Sequence, residues 1–314
     1  MIVGYFDNKR ESRLPYKAST RVVTVLSKLA SRYAPDALIY LLEEIAMARN
    51  SLKAVMKALE KVNSEVPIEQ QFLNDLKRSI ELSDMKNARK PSQTYKPSGM
   101  NCIRSMYYQV MGVEVEPDSS YIMVGICESG TDRHERIQNA ISQMKDNGFD
   151  CEYIDVAEYV RNRGLELYLD IVDKQGNETK LYDRMRNISF LCDGIIKYQG
   201  KYYIVEFKTE SSFKWKDRKG VDPKHYNQAR TYSLELQIDS VIFVYINRDI
   251  VDYKAYLYNV SESERESVIT LINTCQSYVD KQEVPPMPED ATDRKCAYCA
   301  YKDLCKRDNN GTQE

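Results

Sequence analysis

The stretch Ile188–Tyr198, followed across Gln199-Gly200 by Tyr202–Thr209, constrains this chain more than any other. Both runs are rich in β-branched and aromatic residues. The short glycine-containing connection leaves them little choice but to pair as neighbouring antiparallel strands. Side chains alternate along a strand, so Glu206 and Lys208 share one face, while Phe207 points into the core and leaves its backbone carbonyl between them. Asp193, in Cys192-Asp193-Gly194-Ile195-Ile196, comes to the same end of the pair. Tyr202–Val205 is apolar enough to be buried on both faces. An acid and an amine placed directly after it are costly unless they are paired or bound to an ion. An ordinary ion pair at a strand end emerging into solvent fits the same residues.

The flanking segments predict an α/β fold with a mixed central sheet flanked by helices. Residues 121–146 read as a helix carrying His134, and residues 165–172 and 178–184 as strands joined at Gln175-Gly176-Asn177. A helix from about Lys224 to Leu236 precedes strands at Val241–Ile246 and Asp252–Leu257. Ser261 and Glu264 form a capping box that opens a helix lasting to about Lys281. Upstream, residues 1–95 read as a separate helical region. Leu38, Leu41, Leu42 and Ile45 share a helical face, as do Leu52, Val55, Met56 and Leu59, and a further helix spans about Ile68 to Met85. This region carries about five more basic than acidic side chains, which suits either a solvated bundle or a helper surface for DNA or a partner. The segment from Ala88 to Pro97 reads as a linker, and residues 96–314 as the second domain.

Carboxylates and a carbonyl suit Mg²⁺ or Mn²⁺, and the imidazole of His134 is a reasonable addition for Mn²⁺. Asp193, Glu206, the Phe207 carbonyl and His134 are therefore the candidate metal ligands. Such an ion lowers the pKa of water and neutralises charge on a phosphate. Lys208 is the candidate for orienting or activating that water. Gln228 and Tyr232, four apart on one helical face, can hydrogen-bond a carboxylate, the water or a phosphate, or simply pack the helix on the sheet. Between Lys208 and that helix lie Trp215, Lys216, Arg218 and Lys219, cations for phosphates beside the chain's only tryptophan. With a net charge of −2, nucleic acid would need such a local patch.

No apolar run approaches the roughly 20 residues of a membrane span, and the start lacks a signal peptide's apolar core, so a cytoplasmic setting is expected. No phosphate-binding Gly-x-x-x-x-Gly-Lys-Ser/Thr run marks a motor. There are eight cysteines, and in a reducing compartment they suggest metal or cluster ligation more than disulfides. Cys296, Cys299 and Cys305, at x2 and x5 spacing, can converge on one centre that needs a fourth ligand. Zinc and an iron–sulfur cluster both accept thiolates, although zinc sites more often pair two C-x2-C knuckles.

Together these residues resemble the RecB-like branch of the PD-(D/E)xK nucleases, and especially its cluster-bearing members, the CRISPR-associated adaptation exonucleases and AddB nuclease domains with their viral relatives. The resemblance covers about Ser98 to Lys306. His134 matches the family's metal-binding histidine, Asp193 its first acid, Glu206 and Lys208 its E-x-K, and Gln228 and Tyr232 its Q-x3-Y. The segment from Ser98 to Tyr108 also looks like the family's. It supplies Cys102 as the fourth cluster cysteine and Arg104 as a further cation for DNA. Cys192 stands where the name-giving proline would be. The resemblance implies a restriction-endonuclease-like core and a Mg²⁺- or Mn²⁺-dependent deoxyribonuclease, exonuclease more than endonuclease, with a four-iron four-sulfur cluster. It implies a single-stranded or end-containing DNA substrate in DNA processing, recombination or spacer capture, with a possible helicase, recombinase or integrase partner. A non-catalytic DNA-binding module with an iron–sulfur or zinc centre is the alternative. The role of residues 1–95 lies outside the match.

Overall fold

The computed structural model describes residues 67–86, 91–114, 118–175, 178–289, 291–292, 296–297 and 299–310. The helices expected before residue 67 lie outside these. The chain divides into two compact units, Met1–Ile80 and Glu81–Glu314. The expected helix near the boundary is present as α1 (Ile68–Lys86). No described helix is long and apolar enough to cross a membrane.

In the larger unit, five strands form a mixed sheet: β1 (Cys151–Ile154), β5 (Gly194–Tyr198), β6 (Lys201–Glu210), β7 (Ser240–Asn247) and β8 (Asp252–Asn259), in the order β1-β5-β6-β7-β8. Only β6 and β7 run parallel, joined by the crossover that holds α5 (Ser212–Asp217) and α6 (Tyr226–Leu236). A parallel pair needs such a long connection, and here it returns the chain over the face that bears Glu206 and Lys208. A second, antiparallel sheet contains β2 (Leu169–Gln175), β3 (Glu178–Asp183) and β4 (Ile188–Cys192). This mixed sheet flanked by helices is consistent with a restriction-endonuclease-like core.

Hydrophobic residues of β6 alternate between two cores. Ile204, with Ile195, Val241 and Phe243, packs under α6 and α7 (Glu262–Lys281) through Ala229, Leu236, Val268 and Ile272. Val205 and Phe207 face the other way, against Ile137 and Ile141 of α3 (Tyr121–Ser142). Burying each such side chain contributes roughly 1.5–3 kcal/mol, enough to fix the register that places the charged residues between them. The Ser261/Glu264 capping box is present and opens α7 where expected.

Two expectations need revision. Ile188–Tyr198 is not one strand: it breaks at Asp193, and its halves, β4 and β5, belong to different sheets. The end of the supposed linker is also structured. Tyr95 is 1% exposed and bridges in parallel to Ile188, so buried aromatic packing and main-chain pairing hold this segment on the small sheet. The patterns of α2 (Ile103–Val110), α4 (Val156–Asn162) and α8 (Lys302–Asn310) are too short to stand out in the sequence.

Candidate metal centre

Asp193 occupies the break between the two sheets, where no ladder partner claims its backbone. Its carbonyl accepts hydrogen bonds from Gln138 of α3 (2.7 Å) and from the Tyr153 hydroxyl of β1 (3.0 Å). Gly194 makes this possible, because a Cβ there would lie 2.8–3.1 Å from the Tyr153 ring and hydroxyl. The Asp193 carboxylate turns toward β6, where Oδ2 accepts the Phe207 N–H at 2.7 Å. One backbone bond thus ties the first acid to the middle of Glu206-Phe207-Lys208.

Glu206 is 3% exposed, and its two oxygens have different surroundings. Oε1 accepts from Lys208 Nζ (2.7 Å) and Gln228 Nε2 (2.6 Å), while Oε2 is buried with no hydrogen-bond partner. Burial and the nearby Asp193 charge push the Glu206 carboxyl up to about 7, against the opposing pull of Lys208 and His134. Gln228 ties the site to α6: its Oε1 accepts from Lys208 Nζ (2.9 Å) and its Nε2 also donates to the Tyr232 hydroxyl (2.9 Å). Tyr232 is 4% exposed and donates to the Leu191 carbonyl at 2.7 Å. Its hydroxyl therefore meets Gln228 and the end of β4, an arrangement that positions Lys208 through Gln228.

His134 approaches from α3, with Nδ1 3.6 Å from Asp193 Oδ1 and its ring edge-on to Phe207 at 5.6 Å. Burial lowers its pKa, but Asp193, Glu206 and Glu178 more than offset this, and the net shift is upward. Glu178, at the start of β3, was not anticipated. Ligand atoms of His134, Glu178 and Asp193 all lie within 4.8 Å of one another. Burial and Asp193 raise the Glu178 carboxyl above its usual range. The signal for it lay in the hairpin register: Thr179 faces Cys192, so one step further along the two chains sets Glu178 against Asp193. Two carboxylates and an imidazole within 4.8 Å of one another are a donor set suited to a hard divalent cation; Glu206, with its buried partnerless Oε2, stands outside that group, and so does the Phe207 carbonyl.

The expected DNA-facing residues have divided. Lys216 and Lys219 are exposed beside half-buried Trp215. Arg218 does not face solvent. It forms paired bonds to Glu210 (2.8–3.0 Å), reaches Asp222 at 3.3 Å and lies 4.1 Å over the Tyr245 ring. Arg104 is 3% exposed and donates to the Tyr108 hydroxyl, which donates to Asp308 at 2.6 Å. Both guanidinium groups are committed to internal partners, because a buried arginine must be neutralised and hydrogen-bonded. Cys102 stands at the N-cap position of α2 without a side-chain capping bond, Cys296 and Cys299 precede α8, and Cys305 lies within it; all four are half-buried. Burial raises the Cys305 thiol, Arg104 lowers it, and Cys102, Cys296 and Cys299 add to the rise, so the four thiols share one neighbourhood.

No family model and no curated protein matches the chain. Among solved structures, it resembles the crystal structure of SSO0001 at 17% identity and a TM-score of 0.43, covering 74% of this chain and 96% of that one. It also resembles LHK-Exo, an alkaline exonuclease from Laribacter hongkongensis, at 11% identity and a TM-score of 0.36, covering 61% and 90%. LHK-Exo in complex with dAMP gives 11% and 0.35, covering 60% and 89%. At these identities and scores the likenesses carry no argument about what this chain does.

Proposed function

We propose that the chain is a divalent-metal-dependent deoxyribonuclease that hydrolyses phosphodiesters in single-stranded DNA or at DNA ends, as an exonuclease. The observation that carries this reading is the convergence of His134, Glu178 and Asp193 within 4.8 Å, near a buried Glu206 whose Oε2 has no hydrogen-bond partner. Such an oxygen costs roughly 1–3 kcal/mol or more unless something positive meets it. Asp193, Glu206, His134 and the Phe207 carbonyl would hold Mg²⁺ or Mn²⁺, with Glu178 completing the acidic wall. When bound, the ion supplies Lewis acidity and counter-charge to the phosphate. Lys208, steadied by Glu206 and Gln228, orients the attacking water and offsets charge growing on the phosphoryl oxygens. Water adds to phosphorus as the bond to the 3′-oxygen breaks; the water gives up a proton and the 3′-oxygen gains one, leaving a 5′-phosphate and a 3′-hydroxyl. Gln228 and Tyr232 position Lys208 through their hydrogen bonds.

The test is digestion of end-labelled single- and double-stranded DNA with blocked 5′ or 3′ termini, comparing Mg²⁺, Mn²⁺ and chelator. Metal-dependent mononucleotide release, halted by one blocked end, is expected. Binding without cleavage under every condition would turn the reading into that of a DNA-binding module. A separate measurement follows the ion alone. Titration with Mn²⁺ by electron paramagnetic resonance is expected to show that Asp193→Asn and Glu178→Gln each weaken binding about tenfold or more. An unchanged affinity in Asp193→Asn removes the ion from this place.

Cys102, Cys296, Cys299 and Cys305 form a soft, all-thiol donor set, with Arg104 favouring the thiolate of Cys305. We assign to them a structural four-iron four-sulfur cluster. Closing so long a loop removes roughly 4–5 kcal/mol of unfolded-state freedom, by analogy with a disulfide. Cys299→Ala is expected to lose the broad visible absorption of anaerobically purified protein and to melt many degrees lower. Retention of both absorption and melting temperature refutes the assignment, and colourless parent protein containing zinc replaces it with a zinc site.

A further inference from the structure

The aromatic group available to a nucleobase is not the tryptophan. Trp215 has Lys254 Nζ 4.0 Å from its ring centroid, and that ammonium is anchored by the Trp215 carbonyl (2.7 Å) and the Arg218 carbonyl (3.3 Å). The indole N–H is buried without a partner. A lysine fixed over the ring occupies a surface that a base would need, and moving it would break two hydrogen bonds. Two residues earlier, Phe213 is 82% exposed. It borders an open groove of about 470 Å³, whose other walls include Lys214, Lys219, Val221 and Pro223.

Charge favours an anionic chain in this groove. Lys214, Lys216 and Lys219 are exposed around Phe213, with Asp217 among them. Asp222, also in the wall, is met by Arg218 (3.3 Å) and Lys224 (3.9 Å), and Glu210 pairs with the other side of Arg218, so these four charges balance and the exposed lysines outweigh Asp217. The basic side chains continue toward the metal centre: burial lowers the Lys224 pKa, Asp222 opposes this, and Lys214 and Lys208 both lie close enough to lower it further. The groove also begins close in sequence to the site, since α5 starts directly after the end of β6.

We propose that Phe213 is a stacking platform for a base of single-stranded nucleic acid, with Lys214, Lys216 and Lys219 holding the adjoining phosphates, and that Trp215 serves the fold alone. The inference rests on the nuclease reading for the direction of the strand, which leads from the groove past Lys224 to Lys208. A large apolar ring beside lysines on an open surface matches the equipment that grips single strands without reading their sequence.

The experiment measures binding of fluorescent oligothymidylate to the full chain in chelator, so that nothing is cut. Phe213→Ala is expected to weaken binding about 5- to 150-fold, and Phe213→Tyr to stay close to the parent. Lys216→Ala is expected to weaken binding and to lower the slope of log affinity against log salt by about one. An oligonucleotide with a single abasic position, moved along the strand, should bind the parent more weakly at one register and show no further loss in Phe213→Ala. Phe213→Ala binding as tightly as the parent, or a parent that binds no single strand, overturns the platform. The labelled-DNA digestion judges the nuclease reading separately: cleavage with a silent Phe213→Ala leaves that reading standing, and a binding loss in a chain that never cleaves leaves the groove standing without it.

Discussion

Lys208→Ala is expected to lower the rate of DNA hydrolysis by about 10³-fold or more, while binding of single-stranded DNA in chelator changes by no more than a few-fold. The expectation follows from where the ammonium lies. Its Nζ is 2.7 Å from Glu206 Oε1 and 2.9 Å from Gln228 Oε1, so it is aimed and partly desolvated before any substrate arrives. Alanine removes the cation and leaves Glu206 Oε1 with Gln228 as its remaining donor. That raises the question of whether a loss reports chemistry or damage. Two controls separate them. Melting temperature reports the fold, and Mn²⁺ affinity reports the acids, including Glu206, which loses its Lys208 partner. Retained metal binding and melting with lost cleavage supports the assigned role. Cleavage at the parental rate would falsify it.

Much of this site was legible because it is local. Glu206, Phe207 and Lys208 are consecutive, and strand alternation alone sorts them onto two faces. Gln228 and Tyr232 are one helical turn apart. What sequence reading missed depends on partners far along the chain. The break at Asp193 was hidden inside a nearly continuous apolar run, and the reason for it lies elsewhere: Tyr153 crowds Gly194 and, with Gln138, captures the Asp193 carbonyl. Glu178 belongs to the second sheet and meets Asp193 through a register that only the paired hairpin displays. Charge misled in the same way. Arg218 and Lys219 are adjacent and look alike in sequence, yet Glu210 and Tyr245 claim one and leave the other in water. An arginine's partners, not its presence in a basic run, decide whether it is available to a phosphate.

The second large effect concerns stability. Glu235→Gln is expected to stabilise the fold at pH 8 by roughly 4 kcal/mol, an increase that disappears by about pH 4.5. Glu235 is 0% exposed on α6, and neither carboxylate oxygen accepts a hydrogen bond. Asp183 beside it is equally buried but satisfied, accepting from the Met185 N–H (2.7 Å) and from Arg186 (3.0 Å). Arg186 reaches Glu235 only at 3.9 Å. Burial, followed by the Asp183 charge, therefore pushes the Glu235 carboxyl up to about 8, with Arg186 opposing. The sign follows from linkage. Below its ordinary value of 4.5, Glu235 is protonated in both states and costs nothing. Between 4.5 and about 8 the unfolded chain releases the proton while the folded chain keeps it, so stability falls by roughly 1.4 kcal/mol per pH unit. Above about 8 both states are ionised and the loss is complete. Glutamine has no proton to lose, and its amide can donate to Asp183 as a protonated Glu235 would. Because Glu206 titrates in the same window, the informative quantity is the difference between variant and parent, measured by denaturant unfolding from pH 4.5 to 9. A difference that grows with pH and levels off near 8 fits a protonated Glu235 clamping α6, and with it Gln228, to the small sheet. Parallel curves separated by a constant offset, or no separation at all, mean that Glu235 is ionised in the folded protein.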